Sequence, residues 1–189
     1  MEVDRIRFSS KDATVVPAMA VASALGHMAV GPLVSRSLHI PGPSIAGIVI
    51  IAPLLVAGAL TLRRGMILLT STLNGVILSV FVPIGVLAIP IYFVVGTMLE
   101  VFCFRPFSVA FKRLRLFLAG GVANAISVLL IATIGLGARN LGVLSLACTL
   151  GLISGALGGA IAATVINRVR LVFPKSNSEK ELGKSQIML

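Results

Sequence analysis

The stretch GMILLTSTLNGVILSVFVPIGVLAIPIYFVVGTML, residues 65–99, runs for 35 positions without one charged side chain. As a single helix it would be about 52 Å long, far more than the roughly 30 Å hydrocarbon core of a bilayer requires. It therefore predicts two crossings with a turn between them. Val82-Pro83-Ile84-Gly85 supplies the turn and Pro90 follows closely, because proline lacks the N–H of the helical ladder and disfavours helix at the residue before it. Helix three is thus expected from about Gly65 to Phe81, and helix four from about Ile89 to Phe104.

Working outward, Ala13–Ser35 holds one helix. A second starts near Ser44 and ends at Leu62, since Pro41-Gly42-Pro43 interrupts any helix and leaves 36–43 as an extended connection. Leu116–Gly137 makes a fifth helix, and about Leu144–Asn167 a sixth. The expected fold class is all-α: an integral membrane domain of six transmembrane helices over residues 13–173. A cytoplasmic tail at 1–12 precedes it, and a cytoplasmic, disordered tail at 174–189 follows. With 57% hydrophobic and 12% charged residues and a mean hydropathy of +1.07, too little polar surface exists to coat a soluble globule. The two halves show no repeat of the kind used by inverted-repeat carriers.

Orientation follows from the basic residues. With the amino terminus inside, Arg5, Arg7, Lys11, Arg63, Arg64, Arg105, Lys112, Arg113, Arg115, Arg168, Arg170, Lys175, Lys180 and Lys184 fall on the cytoplasmic side, and only Arg36 and Arg139 outside. Both termini are then cytoplasmic, in a plasma or inner membrane. Merging helices three and four would place the Arg105–Arg115 cluster opposite Arg63-Arg64 and destroy this bias. The net charge of +10 thus reads as topology signal and anionic-lipid contact rather than as nucleic-acid binding.

Polar side chains inside such helices must face protein, water or a ligand. Asn74 on helix three and Asn124 on helix five each lie about eight residues from the cytoplasmic end. They either share a cavity or hydrogen-bond between helices. Glu100 is the only acidic residue within an apolar segment. It either meets a cationic or proton-donating substrate group or pairs with Arg105. His27 in the outer half of helix one, Arg36 and His39 in the first outer loop, and Tyr92 at the outer end of helix four are candidates for the mouth of a pocket. The substrate-binding candidates are therefore His27, Arg36, His39, Asn74, Tyr92, Glu100 and Asn124. Small residues mark close helix approach: Ala18-x-x-x-Ala22 interleaved with Ala20-x-x-x-Ala24 on helix one, and Gly151-x-x-x-Gly155-x-x-x-Gly159 on helix six. Helix one has small residues on two faces, more than one internal neighbour needs. Ala18, Ala20, Ala22, Ala24, Gly155 and Gly159 are the candidate partner contacts.

No catalytic constellation is visible. Gly151-x-x-Ser154-Gly155 misses the spacing of intramembrane serine proteases by one residue, and no histidine follows it. No HExxH, Walker A or CxxC sequence is present. The chain is expected to be no enzyme, with no metal site and no cofactor.

A compact six-helix binder remains, and here the chain resembles the substrate-binding S components of energy-coupling factor (ECF) transporters. These are six-helix proteins with cytoplasmic termini and an alanine-rich AxxxA face on helix one, matched here by Ala18, Ala20, Ala22 and Ala24. The resemblance implies a small water-soluble vitamin or vitamin precursor captured from outside. It also implies that helix one packs on a coupling transmembrane protein driven by two ABC ATPases. Gly96-x-x-x-Glu100 after a Pro-x-Gly turn is similar to the hydroxymethylpyrimidine/thiamine branch. The chain departs from thiamine binders in having no Trp and one Tyr, so little is available to stack on a cationic ring. Two other classes compete: a non-transporting structural subunit held together by Asn74, Asn124 and Glu100, and a small secondary transporter.

Overall fold

A computed structural model describes residues 9–38, 43–61, 63–104, 113–135, 137 and 140–172, without the side chains at 33–38, 43, 104 and 170–172. Among these residues the regular secondary structure is all helical: α1 Ser10–Leu38, α2 Pro43–Thr61, α3 Met66–Phe81, α4 Ala88–Phe104, α5 Arg113–Leu130 and α6 Leu141–Val172. A π-helical turn, Ile131–Gly135, extends α5.

The break in the 65–99 stretch forms where proline chemistry demands it. Val82 is extended (φ −106°, ψ 151°), as the residue before a proline prefers. Its N–H still closes the last turn of α3 on the Leu78 carbonyl at 2.9 Å. Gly85 then takes φ +56°, which a side chain would disfavour, and a single 3-10 turn, Gly85–Leu87, leads into α4. Pro90 falls within the first turn of α4, where the missing N–H is no loss. At the other end of the chain α1 begins at Ser10 rather than Ala13. Ser9 and Asp12 form a reciprocal cap, the Ser9 N–H donating to Asp12 Oδ2 at 3.0 Å and the Asp12 N–H to Ser9 Oγ at 3.2 Å.

Five helical segments are long and apolar enough to cross a bilayer, and α3, with 16 residues, is shorter, at about 24 Å. The helices form a closed circuit in the order α1–α2–α6–α5–α4–α3, with α3 returning to α1. α2 is the most enclosed, 67% of its span being buried against 28% for that of α1. Ile50, Ile51, Leu54 and Leu55 of α2 meet Ile67, Leu78, Tyr92, Val95, Leu99 and Leu116 in the core. Pro53 lies within α2 and disturbs the ladder there. Pro53 leaves the Val49 carbonyl without its helical donor, and the next carbonyl, that of Ile50, accepts the Ser23 hydroxyl of α1 at 3.1 Å. The outer surface is apolar, with Val21, Leu25, Val80, Phe93, Leu118, Leu146, Leu152 and Ile161 exposed, while Thr70, Ser71, Asn74, Asn124, Ser127 and Ser154 are buried. Apolar groups outside and polar groups inside suit a lipid surround. The chain is a polytopic helical membrane protein.

Candidate functional site

One end of the bundle gathers the charges. Arg63 Nη1 in the α2–α3 connection lies 3.0 Å from Asp12 Oδ2 at the start of α1. The Glu100 carboxylate near the end of α4 accepts the Gly65 N–H and, at 3.4 Å, the Leu68 N–H of α3. The start of α5 and the far part of α6 touch through Leu116 and Gly159. Lys11, Arg63, Arg64, Arg113, Arg115 and Arg168 therefore lie at the same end, the alternation of helix direction that the split at Pro83 requires. The Arg105–Lys112 part of the basic cluster lies outside the described residues, as do His39 and the Arg36 side chain.

Glu100 plays a part that the sequence does not announce. α3 begins behind Gly65 at φ +85° with no capping side chain of its own, so its first amides have no acceptor within the helix and carry the positive end of the helix dipole. Glu100 supplies the missing acceptor from 35 residues away. One turn earlier, a Cβ on Gly96 would strike Ser71 and Leu68. Gly96-x-x-x-Glu100 is thus a clamp, glycine letting α3 close on α4 and glutamate capping what is brought near.

Nearer the opposite end, on α1, α3 and α4, a second polar group forms. His27 Nδ1 and Tyr92 Oη are hydrogen-bonded at 2.9 Å in a buried site, their rings edge to face at 6.4 Å between centroids. The Tyr92 carbonyl accepts the Ser71 hydroxyl at 2.6 Å. Asn74 is fully buried. Its amide lies near the Tyr92 hydroxyl, yet neither Nδ2 nor Oδ1 makes a hydrogen bond of ordinary geometry. An unmade bond at a buried amide costs about 1–3 kcal/mol and calls for an explanation. Tyr92 and Asn74 lie eight and nine residues along α4 and α3 from Glu100 and Gly65, about 12–14 Å away along the helix axes.

Asn124 belongs to a different helix group. Its Nδ2 donates to the Gly151 carbonyl at 2.9 Å and lies 3.1 Å from Ser154 Oγ. The Ser154 hydroxyl in turn donates to the Ser44 carbonyl at 2.8 Å, joining α5, α6 and α2. The two asparagines, expected at similar depth, thus face different neighbours. Ser154 and Ser44 carried no sequence signal for this, since a serine in a membrane helix usually bonds within its own helix.

The small-residue faces separate as well. Ala20 and Ala24 are fully buried, whereas Ala18 and Ala22 are exposed beside Val21 and Leu25. Gly155 and Gly159 are buried, and a Cβ on them would meet the carbonyls of Gly120 and Leu116. They serve the α5–α6 contact, so that face of α6 is taken by the chain itself.

The arrangement defines a class: a six-helix membrane bundle with polar side chains enclosed between its helices. The sequence matches no family profile and no curated protein. Among solved structures it is similar to one described as the crystal structure of an S-component of ECF transporter, with a TM-score of 0.72 and 20% sequence identity over 96% of each chain. The chain has the S-component fold.

Proposed function

We propose that this chain is the substrate-binding S component of an ECF-type ABC importer, a binding subunit rather than an enzyme. The observation that carries this reading is the fold likeness over 96% of both chains, because it extends to helix order and connections and not to one motif. In this reading all six helices cross a plasma or inner membrane with both termini in the cytoplasm, in keeping with the basic residues gathered at one end. The partners are a coupling transmembrane protein and two ABC ATPases.

The substrate is a small water-soluble vitamin or vitamin precursor taken from the side opposite the basic end. In this reading His27, Tyr92 and the poorly bonded Asn74 amide receive its polar atoms, with Arg36 and His39 beyond them along the chain. Asn124 and Glu100, both occupied by interhelical bonds, act on the site by holding its walls. A thiamine-related substrate rested on Gly96 and Glu100, and their work as an α3–α4 clamp leaves that finer assignment without support from this motif.

Helix one meets the coupling protein through Ala18 and Ala22, where small side chains admit another helix. Co-expression with such a protein and its ATPases tests this. Ala18→Trp and Ala22→Trp should abolish co-purification while the melting temperature in detergent stays at the wild-type value. Retention of the intact complex by both variants would sink the proposal.

A further inference from the structure

Beyond this function, we propose that the outer groove between α5 and α6 at the basic end is a binding site for one anionic phospholipid. The phosphate would sit between Arg113 and Arg168, and an acyl chain would lie in the groove. The groove is open to the outside, has a volume of about 450 Å³ and is lined by Arg113, Leu114 and Phe117 of α5 and by Ala160, Ala163 and Thr164 of α6.

Its shape follows from the helix contact behind it. Gly159 seats the backbone of α6 against the Leu116 carbonyl, so the helices touch at their closest on the inner side. On the outer side α6 offers small side chains while α5 offers Leu114 and Phe117, exposed at 69% and 41%. A trough with one bulky wall results. Its floor is apolar, and the Thr164 hydroxyl is turned back onto the Ala160 carbonyl at 3.1 Å. Nothing along the floor asks for water, which suits a hydrocarbon chain.

The charge at the top decides which lipid. Arg113 is the first residue of α5, where helix amides and dipole add to its positive charge. Arg168 follows Thr164 by four residues on α6 and so projects from the same face, one turn toward the basic end. Both arginines are exposed. The only carboxylates among the described residues, Asp12 and Glu100, are engaged with Arg63 and with α3, so neither offsets this pair. Arg113 on the lining of an apolar trough, with Arg168 one turn beyond it on the facing helix, matches a phosphate above an acyl chain, since arginine forks suit phosphate oxygens. The anionic inner leaflet supplies that ligand.

Native mass spectrometry of the full chain, with phosphatidylglycerol, phosphatidylcholine or soluble glycerol phosphate added, tests the proposal. Wild type should retain one phosphatidylglycerol at least tenfold more strongly than phosphatidylcholine and should bind glycerol phosphate negligibly. Arg113→Gln with Arg168→Gln should erase the headgroup preference. Ala160→Phe, which fills the trough and leaves both charges, should release the lipid. Melting curves recorded beside each variant identify any that misfolds, and Thr164→Leu then serves as the alternative filling variant. Equal retention of phosphatidylglycerol by the charge-deleted or the filled protein would overturn the site, as would equal binding of glycerol phosphate.

Discussion

Replacing Glu100 by glutamine separates a helix cap from a ligand contact. The carboxylate accepts the Gly65 N–H closely and the Leu68 N–H at 3.4 Å, and the N-cap residue of α3, Gly65, offers no side-chain cap of its own. Hydrogen bonds to a charged group contribute about 1.5–3 kcal/mol against about 0.5–1.5 for neutral ones, and a negative charge at a helix N-terminus adds about 0.3–1 kcal/mol. Only the Gly65 bond is short and Glu100 is only partly buried, so the lower part of these ranges applies. Glu100→Gln should destabilise by about 1–2 kcal/mol and Glu100→Ala, which leaves the amides without an acceptor, by about 2–3 kcal/mol. At about 2–4 °C per kcal/mol for a chain of this size, the glutamine variant should melt about 2–8 °C lower. The assay is thermal unfolding in detergent, run beside calorimetry with thiamine, hydroxymethylpyrimidine and other vitamin precursors. Whatever affinity wild type shows should persist in Glu100→Gln. Unchanged melting in both variants would refute the cap, and a tenfold affinity loss with unchanged melting would return Glu100 to the substrate site.

The remaining expectations test the bundle. Gly159→Ala drives a methyl into the Leu116 carbonyl and should cost about 1–3 kcal/mol as overpacking, read as a lowered melting temperature; wild-type stability would mean that α5 and α6 are further apart. Asn124→Leu removes the bonds to Gly151 and Ser154 and should destabilise by about 0.6–2 kcal/mol, while Asn124→Asp keeps the shape and should be worse. Ala20→Trp should prevent folding where Ala18→Trp does not, because Ala20 is fully buried and Ala18 exposed; equal expression of the two would contradict the assignment of faces. Single cysteines at Leu38 and Asn140 in a cysteine-free background should be labelled from outside the cell, and those at Arg63 and Ser178 protected; outside labelling at Arg63 would overturn the six-crossing topology.

The helix pattern was legible because lipid imposes a simple rule. Backbone groups in hydrocarbon must be bonded within a helix, and a crossing needs about 20 apolar residues. Charge-free runs and prolines therefore locate the elements, and Val82-Pro83-Ile84-Gly85 turned where its chemistry required. The start of α1 lay three residues before the expected Ala13 because the Ser9–Asp12 cap was hidden among polar residues. Helix faces were not legible. In water a helix declares its buried side by an apolar stripe, but in lipid both sides are apolar, and residues such as Ala18 and Ala20 carry the same letter. Only packing separated them, turning Ala20 and Ala24 to the core and Ala18 and Ala22 outward, and committing Gly155 and Gly159 to α5. The polar residues divided in the same way. The sequence by itself determined that Asn74, Tyr92, Glu100 and Asn124 needed partners, since an unpaired polar group in lipid is costly. The tertiary structure decided which partners they found, because the α3 amides lie 35 residues from Glu100 and Tyr92 lies 65 from His27, and such separations are closed only by the packing of helices.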